Sequence, residues 1–312
     1  MTDTVDTAMN NNNTTTGAPE NYINRVTLGA RLKQYARSPL SLILMILVIL
    51  SALFAVGMLI FIIAYILING VPHLTASQFD WNYTTENVSM MPAIINTLLM
   101  TAMTLLIAVP IGVFAAVYLV EYAKRGNKLV KIIRVTTETL SGIPSIVFGL
   151  FGYLMFNISL HWSFSILAGV LTLAMMILPL IIRTTEEALL AVPDSYREGS
   201  FGLGAGKMRT VFRVILPTAI PGITSGIILA IGRIVGESAA LIFTSGSGHT
   251  LPGGLVGSGT SAATLTVHMY ILSNEGLHVN EAFASAVVLL ALTFIINLIS
   301  DLIERHIAKK KG

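Results

Sequence analysis

No cysteine occurs in the 312 residues, which excludes disulfides, thiolate metal sites and cysteine nucleophiles. Charge is scarce: 11% of residues are Asp, Glu, Lys or Arg, where a soluble domain carries about 25%. Neither Gly-x-Ser-x-Gly nor His-Glu-x-x-His is present. The nearest approach to a P-loop, Gly202-Leu203-Gly204-Ala205-Gly206-Lys207, fails at both ends. Phe201 stands where the first glycine belongs, and Met208 follows the lysine in place of Ser or Thr. The chain therefore shows no energy source or catalytic centre of its own. If it pumps, a partner hydrolyses ATP.

What is present is apolar. The sequence is 54% hydrophobic with a mean hydropathy of +0.77, which describes an all-α polytopic membrane protein. About 20 apolar residues cross a bilayer, and six runs qualify: roughly 40–68, 93–120, 139–159, 164–182, 218–243 and 283–303. The third is the weakest, interrupted by Gly142, Pro144 and Gly149. Residues 1–38 read as a tail whose Asn/Thr-rich start is disordered. The first run is too long for a signal-peptide core and reads as a retained anchor. Residues 39–92 hold this helix and an external loop, 93–304 the remaining spans, and 305–312 a basic end.

The basic residues are sorted by connection. Arg25, Arg31, Lys33 and Arg37 precede the first run; Lys124, Arg125, Lys128, Lys131 and Arg134 lie between the second and third. Arg183, Arg197, Lys207, Arg209 and Arg213 lie between the fourth and fifth, and Arg305, Lys309, Lys310 and Lys311 follow the sixth. The connections at about 69–92, 160–163 and 244–282 contain none. Lys and Arg stay on the cytoplasmic side. Both termini and the 183–217 loop are thus expected on the cytoplasmic side of the membrane, and the pI near 9.1 needs no nucleic acid to explain it.

Arg233 alone escapes the rule. An Arg at a helix centre costs about 2.5–3.5 kcal/mol on insertion scales, so it needs a partner, water or a ligand. Glu237 lies four residues on, and two readings stay open. One is an intrahelical ion pair that satisfies itself, although Arg before Glu is the less favourable order. The other is a substrate pathway in which Arg233 attracts an anion and Glu237 moderates its charge. Gly232 and Gly236 have the small-xxx-small spacing of packed membrane helices. Gly142-Ile143-Pro144-Ser145 suggests either a broken helix or an ordinary kink, and Glu138 is placed to cap the third span.

The outer connections are less informative. Trp81 and Tyr83 suit a membrane interface. The long stretch 244–282 suits docking of an extracytoplasmic partner; its His249, His268 and His278 lack ligand spacing, so no metal site is expected.

The stretch Glu187–Pro217 is the most polar interior run of its length. Met208, Val211, Phe212 and Ile215 recur at i, i+3, i+4 and i+7, predicting a short amphipathic helix with Arg209 and Arg213 on another side. Glu198-Gly199-Ser200, then Gly204, then Val214, Leu216 and Pro217 together resemble the cytoplasmic EAA loop of ABC-importer permeases. Glu-Gly-Ser stands for Glu-Ala-Ala, and Val for Ile. Setting the family glutamate at Glu187 fails, because Pro193 then falls where the glycine belongs. With residues 141–152, 192–223 and 232–243 the chain is similar to phosphate-specific permeases, more to the PstA-type than to the PstC-type. The resemblance implies a type-I importer permease domain over 93–304 that couples through loop 183–217. It also implies a PstC-type second permease, a PstB-type ATPase dimer and a PstS-type extracytoplasmic phosphate-binding protein, with inorganic phosphate as substrate and no cofactor. A guanidinium suits phosphate oxygens, and it suits sulfate equally. An ion-coupled secondary transporter, the competing class, would usually show more intramembrane carboxylates.

Overall fold

The computed structural model describes the backbone of residues 39–309, except 125, 252, 258 and 259, and the side chains of 40–302 within that range. The expected tail 1–38, Arg125 and the side chains of the basic end 305–312 lie outside the described residues. Two units divide the chain, residues 1–62 and 63–312. The first contains most of α1 (Pro39–Gly70), whose side chains from Leu40 onward are exposed on every face, Leu47 and Phe54 among them. A helix that is apolar all round is one that faces lipid.

Among the described residues the second unit is helical and has no strand. It comprises α2 (Met91–Tyr122), α3 (Lys128–Ser141), α4 (Ser145–Ser159), α5 (Ile166–Leu190), α6 (Asp194–Gly202), α7 (Lys207–Val235), α8 (Ala239–Thr244), α9 (Leu265–Glu275) and α10 (Val279–Lys309). Among the described residues five helices are long and apolar enough to cross a membrane, or six if α3 and α4 form one span.

The core is built around α5. Ile166, Val170, Leu173, Ile177 and Ile181 are fully buried at helical spacing and pack with Met100 and Ala108 of α2, Ala230 and Ile234 of α7, and Leu241 of α8. Ser165 caps α5 by accepting from the Ala168 N–H. At its other end Leu189 joins Leu119, Val211 and Ile215 in a second cluster.

The third expected span differs from the helix that forms. The chain bends by 102° between α3 and α4, because Pro144 disfavours helical geometry in the residue before it and has no N–H for the ladder. The helix beyond the bend therefore starts at Ser145 and continues, through a π-type stretch from Tyr153, to Ser159. Glu138 does not cap it. That residue lies in the last turn of α3, the end where a helix dipole disfavours a carboxylate. The fifth expected span is also interrupted: α7 stops at Val235, and α8 begins at Ala239.

Among the described residues Gly232 and Gly236 carry no close helix packing within the chain. Nothing lies within 4 Å of a Cβ placed at Gly232, and only the Gly232 carbonyl approaches one at Gly236. One turn and more earlier, Gly222 and Gly226 carry the crossing of α7 over α5. A Cβ at Gly222 would lie 2.7 Å from Ala188 Cβ, and one at Gly226 would strike the Thr184 side chain. Gly226→Ala is expected to destabilise the assembled protein by about 1–3 kcal/mol through overpacking. Gly232→Ala is expected to be neutral or to gain up to ~1 kcal/mol of helix propensity. Melting temperatures of the two variants in detergent compare them directly; equal values would dispose of the crossing.

Candidate functional site

Two sites stand at opposite ends of α7. At the first, α6 is held as a bracket between three helix ends. Its Arg197 is nearly buried (17% exposed) and faces a Glu121 carboxylate that is 9% exposed. Arg197 Nε and Nη2 donate to Glu121 Oε1 at 3.1 and 2.8 Å. Nη1 also donates to the Val192 carbonyl at 2.8 Å and to Asp194 at 3.1 Å, and Nη2 to the Leu189 carbonyl at 3.0 Å. One guanidinium thus ties α6 to the end of α2 and the end of α5. Its planar fork supplies donors in fixed directions, and charge-assisted bonds of this kind are about twice as strong as neutral ones. Ser200, paired with the Thr210 hydroxyl at 2.8 Å, adds a tie to the start of α7.

Gly204 ends α6. The Ala205 N–H donates to the Ser200 carbonyl at 3.1 Å, and the Gly204 N–H to the Phe201 carbonyl at 2.9 Å. Those two bonds, with Gly204 at φ +80°, form a Schellman cap, a position that favours glycine. Glu198 and Gly199 are exposed on α6, and Glu198 has no ion-pair partner among the described residues. Val214, Leu216 and Pro217 are half-buried within α7. Pro217 has no N–H for an α ladder, and just before it the backbone takes a π-type turn over Val211–Ile215.

The predicted amphipathic face is split. Val211 and Ile215 are buried, but Met208 is 70% and Phe212 37% exposed. This segment is the first part of α7, and only its inner row, Val211 and Ile215, meets the core. Met208, Phe212, Phe201 and the 91%-exposed Leu203 instead present apolar side chains outward beside Glu198. Large apolar side chains left exposed on a polar loop are the kind of feature that marks interaction sites.

At the second site Arg233 occupies the last turn of α7. It lies about 39 Å from Lys207 along the helix at 1.5 Å per residue. The possible i, i+4 pair with Glu237 is not formed, because the helix ends at Val235 and the backbone turns away at Gly236. Glu237 is buried, and its Oε1 accepts from the Ala240 N–H at 3.1 Å. It serves as a cap for α8 and not as a counter-ion. Thr266 donates to the Val235 carbonyl at 2.6 Å, closing the end of α7. Half-buried Arg233 has neither an ion pair nor a side-chain hydrogen bond among the described residues. An unpaired guanidinium in such a place is available to an anion.

Beyond it, Tyr83 stacks on His249 with ring centroids 4.1 Å apart, and His268 meets both edge-on. Burial first, and the His249 ring next, lower the His268 pKa to about 4 against a hydrogen bond to the Val88 backbone. The cluster is neutral and structural near neutral pH. Among the described residues no group of three or more His, Asp or Glu could hold a metal ion.

Residues 108–312 match the family model described as binding-protein-dependent transport system inner membrane component. The chain belongs to this family. Membership makes it a multi-pass membrane transport component and not an enzyme, and implies a second permease, an ATPase and a solute-binding protein as partners. It is 35% identical over 284 residues to the probable ABC transporter permease protein YqgI of Bacillus subtilis, covering 84% of this chain and 94% of that one. It is 32% identical over 284 residues to the phosphate transport system permease protein PstA of Yersinia pestis (90% and 94% covered). With PstA 1 of Mycobacterium tuberculosis it shares 33% over 219 residues (70% and 71%). Among solved structures, a bacterial ABC transporter involved in import of the acidic polysaccharide alginate matches with a TM-score of 0.64. That match is 16% identical and covers 88% of this chain and 99% of that one. The MetNI methionine ABC transporter matches with a TM-score of 0.54 at 23% identity, covering 69% and 93%. These two place the permease in the ABC-importer fold.

The permease sites combine residues the sequence exposes with residues it hides. Glu198, Gly204 and Arg233 are visible by pattern or by exception. Arg197 and Glu121 are 76 residues apart, and no spacing connects them. Leu203 and Met208 were open to detection, since a large apolar residue between glycines on a polar loop has no core to enter.

Proposed function

We propose that this chain is the PstA-type permease subunit of an ATP-driven phosphate importer. It lies with its basic end in the cytoplasm, loop 183–217 seated in an ATPase, and Arg233 facing the substrate path from outside. The observation that carries the anion is the guanidinium of Arg233, left without a counter-charge by the break at Gly236. Support for phosphate comes from relatives named phosphate permeases at 30–34% identity. The loop supports an ATPase partner: Glu198, Gly199 and Ser200 sit on a braced helix that Gly204 caps, near exposed Leu203 and Met208. A PstC-type permease would complete the pathway, two PstB-type ATPases would drive it, and a PstS-type protein would deliver phosphate.

The test is purification of the tagged chain in mild detergent, reconstitution with its co-purifying subunits, and uptake assayed with phosphate and sulfate. Expected are an ATPase in the purified complex and ATP-dependent phosphate uptake that sulfate does not compete away. Equal competition by sulfate would replace phosphate with oxyanions in general. A reporter fused after His161 that reads as cytoplasmic would reverse the orientation.

A further inference from the structure

A second anion site lies away from Arg233. The end of α2, the first turns of α3 and helix α6 enclose a cleft of about 780 Å³. Six cations line it, Lys124, Lys128, Lys131, Arg134, Arg197 and Lys207, against two carboxylates, Glu121 and Asp194. Both carboxylates are already engaged by Arg197. Arg134 is paired with Glu186 at 2.5 Å, and Lys207 rests over the Tyr122 ring at 5.2 Å. Lys124, Lys128 and Lys131 are exposed and have no ion pair among the described residues. Three ammonium groups therefore surround one cleft with no counter-charge left for them.

Helix α3 says which kind of anion fits. Asn127 caps it, accepting from the Leu129 N–H at 3.0 Å. Lys128, Lys131 and Arg134 form its row on the cleft. One residue further round, Leu129, Ile132 and Val135 form a parallel row, exposed at 55%, 64% and 54%. A basic row beside an uncovered apolar row is the pattern of a helix lying in a membrane interface. Basic pockets between transmembrane helices on the cytoplasmic side take phosphate-bearing headgroups.

We propose that this cleft binds the phosphate group of an anionic phospholipid, with the acyl chains along Leu129, Ile132 and Val135. Free inorganic phosphate offers the same oxygens but has nothing to cover the apolar row. The bound headgroup would touch α2 and α6 where Arg197 joins them, so occupancy of the cleft would stiffen the loop. The site is independent of the transported substrate; only its assignment to the cytoplasmic leaflet rests on the orientation proposed above.

The test uses the assembled transporter in phosphatidylcholine vesicles with and without phosphatidylglycerol, then extracted in detergent. The readout is phosphatidylglycerol retained per complex by mass spectrometry. Wild type is expected to retain about a hundredfold more than the Lys124→Gln/Lys128→Gln/Lys131→Gln variant, and inorganic phosphate should not displace it. Equal retention by both proteins, or displacement by inorganic phosphate, would overturn the lipid assignment, the latter in favour of a free-anion site. If the triple variant does not assemble, spin-labelled phosphatidylglycerol and phosphatidylcholine are compared on the wild type. Preferential immobilisation of the glycerol lipid supports the site, and equal immobilisation removes it. Since retention is read without transport, a negative result leaves the importer reading untouched, and a failed phosphate assay leaves this one untouched.

Discussion

Arg233→Gln is expected to abolish or sharply reduce phosphate uptake per assembled complex while the ATPase still co-purifies. The reason is the geometry at the end of α7. Glu237 is committed to the Ala240 N–H, so removing the guanidinium strands no carboxylate partner. A buried ion pair that loses one member costs about 3–5 kcal/mol; Arg233 is in no such pair, and its loss should leave folding intact. Glu237→Gln keeps an oxygen able to accept from Ala240 and should have only a mild effect. Glu237→Leu removes the cap, at a cost of about 1 kcal/mol. The measurement is uptake per complex for Arg233→Gln, Glu237→Gln and the double variant. If the double variant regains the uptake that Arg233→Gln has lost, the two side chains act as a pair and the pathway role of Arg233 is wrong.

Gly204→Leu is expected to uncouple ATP hydrolysis from uptake in a complex that still inserts and assembles. Nothing lies within 4 Å of a Cβ at Gly204, so the change is not a steric collision. It imposes φ +80° on a residue with a Cβ, at about 1–2 kcal/mol. That strain is relieved by opening the Schellman cap, which redirects Leu203 and the start of α7. Glu198→Gln is the matching control: the side chain is exposed and unpaired, so any lost uptake reflects contact with the ATPase and not the shape of the loop. Uptake and ATP hydrolysis are measured on the same vesicles. Normal uptake in Gly204→Leu at normal abundance would remove the loop from the coupling path.

What the sequence shows and what it conceals follow from the range of the forces involved. The apolar spans and the all-helical class depend on local composition and are legible; at Gly142–Pro144 the sequence shows an interruption without deciding between a kink and the 102° break that forms. The break after Val235 is not legible, because Gly236 and Glu237 sit in a run apolar enough to read as one helix. What ends α7 is tertiary: α8 packs on α4 so tightly that a Cβ at Gly149 would lie 2.7 Å from Ala240 Cα. The spacing rule that singles out Gly232 and Gly236 applies equally to Gly222 and Gly226. Only the neighbouring helix shows which pair is used within the chain. Val211 and Ile215 are buried while Met208 and Phe212 are exposed, because periodicity gives the faces of a helix without saying which part of a face has a neighbour within the chain.

At Gly222 and Gly226 α7 crosses α5 with no room for a Cβ. Measured from the middle of that contact, the arm toward Lys207 is about 25 Å and the arm toward Arg233 about 13 Å at 1.5 Å per residue. If the packing of Val211 and Ile215 at one end and of Ala230 and Ile234 at the other gave way, rotation about the crossing would move the two ends in opposite directions, in a ratio of about two to one. A push of about 4 Å on the loop would carry the guanidinium about 2 Å the other way, nearly a hydrogen-bond length. Pro217 and Pro221 lie on the long arm, so any flexing there is taken from the side with travel to spare.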